Sequence, residues 1–229
     1  MLFCGFAAAG CASKPDVLEN RVATTGIAAE EHIAILLSNY ENEGVALAGP
    51  GREDEEMRVW EEVEQTLESC VRREMAAAVR DLRFVLPGEL RHKVFPGKAP
   101  KDLPRSPVQL LQALSEGEPV ARAASLRLRY LVVLDGRWST GPGKFQGSSG
   151  AGGGGAVGWG WDRHSTLNAT VLDIAHQRIA GEVSASSSGP AGWGLGIVFI
   201  IPVPFFFATQ PESQACAGLG EALARFIAQ

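Results

Sequence analysis

"RYLVVLDGRWS" (residues 129–139) is the most strand-like run of the chain, rich in apolar and β-branched residues and ended by Asp135-Gly136. A short helix around Val120 to Leu126 leads into it. After it comes "TGPGKFQGSSGAGGGGAVG" (residues 140–158), a glycine-dense stretch that cannot pack a core and reads as a flexible hairpin tip. The return strand is "WGWDRHSTLNATVLDI" (residues 159–174). Its apolar positions Leu167, Ala169 and Val171 alternate with polar ones, as in a sheet with one wet face. "AHQR" makes a turn, and "IAGEVSASSSG" (residues 179–189) is the next strand.

Working upstream, "HIAILLSNY" (residues 32–40) reads as a buried strand and "LRFVL" (residues 82–86) as another, halted by Pro87-Gly88. Between them Trp60, Val63, Leu67, Val71, Met75 and Ala78 form one apolar stripe at helical spacing. Acidic residues crowd the start of that helix, and Arg72, Arg73 and Arg80 lie towards its end, matching the helix dipole. A helical turn is expected near Leu90, and Ser106 with Pro107 makes a plausible helix start. Downstream, residues 211–229 form a second amphipathic helix with Cys216, Leu219, Leu223 and Phe226 on one face. Thr209 and Glu212 have capping-box spacing before it. The expected fold is α/β (α+β): a mixed sheet carrying amphipathic helices and a long Gly-rich hairpin loop.

The 229 residues, 45% hydrophobic and 21% charged, suit an ordered globular chain. A net charge of -5 gives no reason to expect nucleic acid as a partner. Charge and glycine are unevenly placed: 18 of the 27 glycines but only five Lys/Arg and five Asp/Glu fall from Gly136 onward. The element pattern still favours one α/β domain over residues 30–229, after a small, polar tether at residues 11–29.

"AGWGLGIVFIIPVPFFFA" (residues 191–208) is eighteen residues without a charge. Its glycines and its Pro202 and Pro204 argue against a membrane-spanning helix. It reads first as an extended connector buried across the sheet. Its aromatic density (Trp193, Phe199, Phe205, Phe206, Phe207) gives a second reading, a surface patch touching lipid or a protein partner.

A phosphate loop fails at Trp138 and Phe145, where a glycine and a hydroxyl residue are required. Zinc-hydrolase and serine-hydrolase motifs are absent from the sequence, and no metal ligand set or cofactor site is expected. His164 with Asp162 imitates an acid–base pair on one strand face, and with Asp173 would be the first suspect in an envelope hydrolase or transferase. A solvated strand face explains the pair more simply. The basic connector (Arg91, His92, Lys93, Lys98, Lys101, Arg105) could meet an anionic partner, but reads more simply as a solvated loop balancing the acidic helix. No catalytic residue is assigned.

Cys70 and Cys216 sit on or beside the apolar stripes of the two long helices. In a reducing compartment they would be buried thiols. In an oxidising one they could close a disulfide over about 145 residues, contributing roughly 3–5 kcal/mol.

"AAGC" (Ala8 to Cys11) resembles the bacterial lipobox, which implies that Cys11 is acylated and becomes the first residue of the mature protein. Residues 1–10 then read as the remnant of a signal peptide whose start lies upstream. Ala12 and Ser13 after the cysteine resemble outer-membrane sorting. The layout from about residue 30, with Val171, Asp173 and Gly181 its specific part, resembles small proteobacterial envelope lipoproteins. It is similar to the α/β domains of curli-secretion lipoproteins, penicillin-binding-protein activators and the N-terminal domain of the Tol translocation protein. The resemblance implies an outer-membrane lipoprotein facing the periplasm, membrane-bound through its lipid, acting as a non-enzymatic binding or assembly module for an envelope protein or cell-wall partner. An assembly component that meets the membrane through residues 191–208 is the further alternative.

Overall fold

The run at residues 129–139 lies in the middle of an eight-stranded sheet in the computed structural model. The structure describes residues 14–43, 53–98, 102–149, 155–198 and 201–229. In chain order the elements are β1 (Asp16–Arg21), β2 (His32–Glu43), α1 (Glu53–Ala78), β3 (Arg83–Val85), α2 (Pro87–Val94), α3 (Pro107–Ala113) and α4 (Gly117–Ser125). Then come β4 (Leu128–Thr140), β5 (Lys144–Ser149), β6 (Gly155–Asp173), β7 (Arg178–Val198), β8 (Ile201–Ala208) and α5 (Pro211–Ile227). The order across the sheet is β1-β7-β6-β4-β2-β3, with β5 beside the first part of β6 and β8 beside the last part of β7. β2 runs parallel to β3 and β4, and the remaining pairings are antiparallel. The chain is therefore an α/β fold with a mixed sheet.

Strand alternation builds two cores. On one face Ile33, Ile35, Tyr130, Val132, Leu167, Val171 and Val183 pack against Leu67, Val71 and Met75 of α1 and Leu219, Leu223 and Phe226 of α5. On the other, Ala34, Leu36, Leu131 and Val133 meet Leu90, Leu110 and Ala123 of the three short helices. The first helical layer reaches β6 and β7, whereas the second covers β2 and β4 and leaves most of β6, β7 and β1 open.

The two long helices touch closely. A Cβ on Gly220 would fall 2.9 Å from the Val71 carbonyl oxygen and 2.6 Å from Glu74 Cβ, so a larger residue there would force α5 away from α1. That closeness brings Cys70 and Cys216 together in a disulfide with Cα atoms 6.3 Å apart.

Several expectations are corrected. Residues 11–29 are not a tether throughout, because Asp16–Arg21 form edge strand β1 on β7. The following segment is also held: Val22 and Ala23 donate to the Ala180 carbonyl, Thr25 donates to that of Phe226, and Gly26 exchanges two hydrogen bonds with the Tyr130 hydroxyl (2.9 and 2.8 Å). The Gly-rich stretch is strand on both sides, through β5 and the start of β6, and residues 150–154 lie outside the described residues. Residues 191–208 are not a buried connector. Their described parts are the end of β7 and all of β8, with Trp193, Leu195 and Phe206 exposed. No helix among the described residues is long and apolar enough to cross a membrane.

Helix ends also differ in detail. Gln210, not Thr209, is the cap of α5, because Thr209 turns its hydroxyl to the Pro190 carbonyl (3.0 Å) and ties the helix start to β7. Ser106 does cap α3 in position, with Pro107 first in the helix, but its side chain makes no capping bond. α1 has no basic residue in its last turn, since Arg80 lies beyond its end.

Candidate binding groove on the open sheet face

Where the short helices stop, the strands present polar residues in register. One row runs Leu18, Ser184, Asn168, Asp135 and Asn39 across β1, β7, β6, β4 and β2. The next runs Asn20, Glu182, Thr170 and Val133. The third is Asp16, Ser186, Thr166, Arg137 and Glu41. The rows follow from strict alternation: Ala169, Val171, Val183 and Ala185 go under α5, which leaves their neighbours on the opposite face.

The first two rows floor a groove of about 330 Å³, walled by Pro107 at the start of α3 and by Ser38 at an irregularity of β2. Its hydroxyl and amide groups can donate and accept hydrogen bonds to an extended or sugar-like partner. Asp135 is its most perturbed group. Burial, reinforced by the nearby Glu41 carboxylate, pushes its carboxyl above the ordinary value, while Arg137 and Asn39 act in the opposite direction. Arg137 in turn donates to Glu41 at 2.9 Å.

The fold does not bring Asp173 to Asp162 and His164. Asp162 and His164 stand on β6 at the far end of the open face, and His164 lines neither the groove nor the cavities beside the helices. Asp173 ends the same strand and is fully buried. There it accepts from Arg129 (3.3 Å), from the His176 backbone (3.1 Å) and pairs with the His176 ring (2.8 Å), fixing the β6–β7 turn. Among the described residues no group of three His, Cys, Asp or Glu could hold a metal ion.

The basic connector turns partly inward. Arg91 pairs with Glu64 at 2.6 Å, Lys93 with Glu89 at 2.7 Å, and the Arg105 guanidinium lies 5.0 Å from the Trp60 ring centroid; Lys101 lies outside the described residues. Sequence reading missed the buried acids Glu64 and Glu68 on α1. Glu64 accepts the Leu37 N–H at 3.3 Å, beyond the point where β3 stops pairing with β2, and so closes an open sheet edge. Glu68 bonds Arg72 at 2.8 Å, while burial raises its carboxyl pKa.

No protein-family model and no curated protein matches the chain. Among solved structures it is similar to the PelC dodecamer from Paraburkholderia phytofirmans (TM-score 0.40, 12% identity, 94% of this chain and 99% of that one). It is also similar to a neuraminyllactose-binding hemagglutinin homolog from Helicobacter pylori (TM-score 0.39, 10% identity, 91% and 89% covered). A hypothetical protein from Chlamydia trachomatis is a fainter likeness (TM-score 0.28, 9% identity, 86% and 93%). At these scores the likenesses carry no argument about what the chain does.

Proposed function

We propose that this is a lipid-anchored bacterial envelope protein, held at the outer membrane and facing the periplasm through an acylated Cys11. Its α/β body acts as a non-enzymatic module that binds an envelope protein or cell-wall partner. The Cys70–Cys216 disulfide carries the reading, because such bridges persist in oxidising compartments and are rare in the cytosol. The lipobox-like Ala8 to Cys11, outside the described residues, supplies the address in that compartment. The groove over Asn168, Asp135 and Glu182 is the surface offered to the partner.

The test is labelled-fatty-acid incorporation into the protein produced in its native host, beside a Cys11→Ala variant. Label in the first and none in the second supports the anchor; an unlabelled parent protein overturns it. Asn168→Arg should lower retention on purified cell-wall sacculi or envelope complexes without changing the melting temperature.

A further inference from the structure

Past Arg163 and Gly189 the sheet continues as a four-stranded antiparallel arm made of β5, the start of β6, the end of β7 and β8. Four aromatic residues lie directly opposite one another across it: Phe145 with Trp159, Trp159 with Trp193, and Trp193 with Phe206. All four are exposed, Phe206 by 84%, and Val157 with Leu195 forms a second exposed row beside them. Strand alternation puts this ladder on the same face that α5 buries in the body. Among the described residues neither β5 nor β8 makes substantial contact with a helix, so the apolar face runs on uncovered. The Trp159 indole lies over Gly143, where a Cβ would fall 2.0 Å from its Nε1.

We propose that this aromatic face docks on the lipid bilayer. Two observations favour lipid over protein as the occupant. First, neither residues 145–161 nor residues 190–208 contain an Asp, Glu, Lys or Arg, in a chain that is 21% charged. Protein interfaces carry a polar rim that fixes register, whereas a membrane needs only apolar area with interfacial aromatics. Second, the chain enters the fold from the arm end. Asp16 pairs with Ser186 and Arg21 with Gly181, so β1 runs away from the arm, and a Cβ on Gly218 of α5 would lie 2.9 Å from Pro15. Cys11 stands four positions before Pro15, a reach of at most about 14 Å. Pro190 lies four strand residues beyond Ser186, roughly 13 Å. The arm base is therefore within reach of an acyl group carried by Cys11. This orientation rests on the anchored reading above; the affinity of the arm does not.

The experiment uses the full chain with Cys11→Ala, which carries no acyl group, and vesicles of phosphatidylethanolamine and phosphatidylglycerol. The protein is expected to float with the vesicles, and brominated acyl chains should quench its tryptophan emission. Trp193→Ser with Phe206→Ser should weaken flotation by at least about tenfold. Absence of flotation and quenching in the parent overturns the proposal, and quenching needs no variant that must fold. Flotation that survives the double substitution also overturns it, because the contact then lies elsewhere. So does parent protein that stays unbound while forming oligomers which the double substitution disperses, since the face then joins copies of the chain. Fatty-acid labelling scores the anchor separately: labelled protein whose Cys11→Ala form stays unbound refutes the arm alone, and unlabelled protein whose arm binds vesicles refutes the anchor alone.

Discussion

β6 and β7 pass through two regions with opposite outcomes. In the body their inward positions, Leu167, Ala169, Val183 and Ala185, are almost fully buried under α5. In the arm the same face continues as Val157, Trp159, Trp193 and Leu195, and it stays exposed. The alternation is continuous from one region to the other; what changes is that α5 begins only at Pro211, level with the arm base. Burial here is set by which element the topology lays over a strand, and not by how apolar the strand is. The body is consequently held by packing and the arm by its backbone ladder.

The sharpest way to break this contrast is a pair of matched truncations. Phe226→Ala empties a fully buried site between α5 and the sheet and is expected to cost about 3–5 kcal/mol. Phe206→Ala, on the arm, is expected to stay within about 0.5 kcal/mol. Urea unfolding measures both, and equal losses would mean that the arm face is covered in solution. Next in size is the disulfide. Cys70→Ser with Cys216→Ser should cost about 2–4 kcal/mol in the same assay, with thiol reductant reproducing the loss in the parent protein only.

The smallest effect concerns Asp135 on the open face. Its carboxyl titrates higher in the folded protein than in the unfolded chain, through burial first and Glu41 second. The folded state therefore keeps the proton as pH rises, and the stabilisation this gives is complete below the ordinary value of 3.8 and lost through the raised value. Asp135→Asn, which is never charged, is expected to be more stable than the parent near neutral pH and to lose that advantage below about pH 4. Melting temperatures across that range test the sign. A ligand that fills the groove should magnify the difference.

Much of the body was legible because its elements carry repeating apolar positions. The α1 stripe of Leu67, Val71 and Met75, the α5 stripe of Leu219, Leu223 and Phe226, and the alternation through β6 all appear as read. The stripes also put Cys70 and Cys216 on the buried sides of the two long helices, and of the two states left open there the structure holds the disulfide. β1 was not legible, since "DVLENR" buries little and is held by backbone pairing that leaves no mark on side-chain pattern. The arm was misread for a related reason: an uncharged aromatic run looks the same whether a helix covers it or nothing does. In the candidate site the polar partners of Leu167 and Ala169 were visible as a wet face. That Asn20 and Glu182 join them required knowing that β1 flanks β7. Glu64 and Arg91, 27 residues apart, gave no sequence signal of their pairing.

The disulfide also imposes a schedule. Its two cysteines stand 146 positions apart, and the second arrives on a helix synthesised after all eight strands. Until residues 211–227 emerge, Cys70 has no native mate and one side of the sheet lacks half its cover. A chain halted short of Cys216 keeps a free thiol at Cys70, and a completed one hides it. Oxidation of Cys70 thus serves as a seal of completion, distinguishing finished molecules from fragments by the state of that one cysteine.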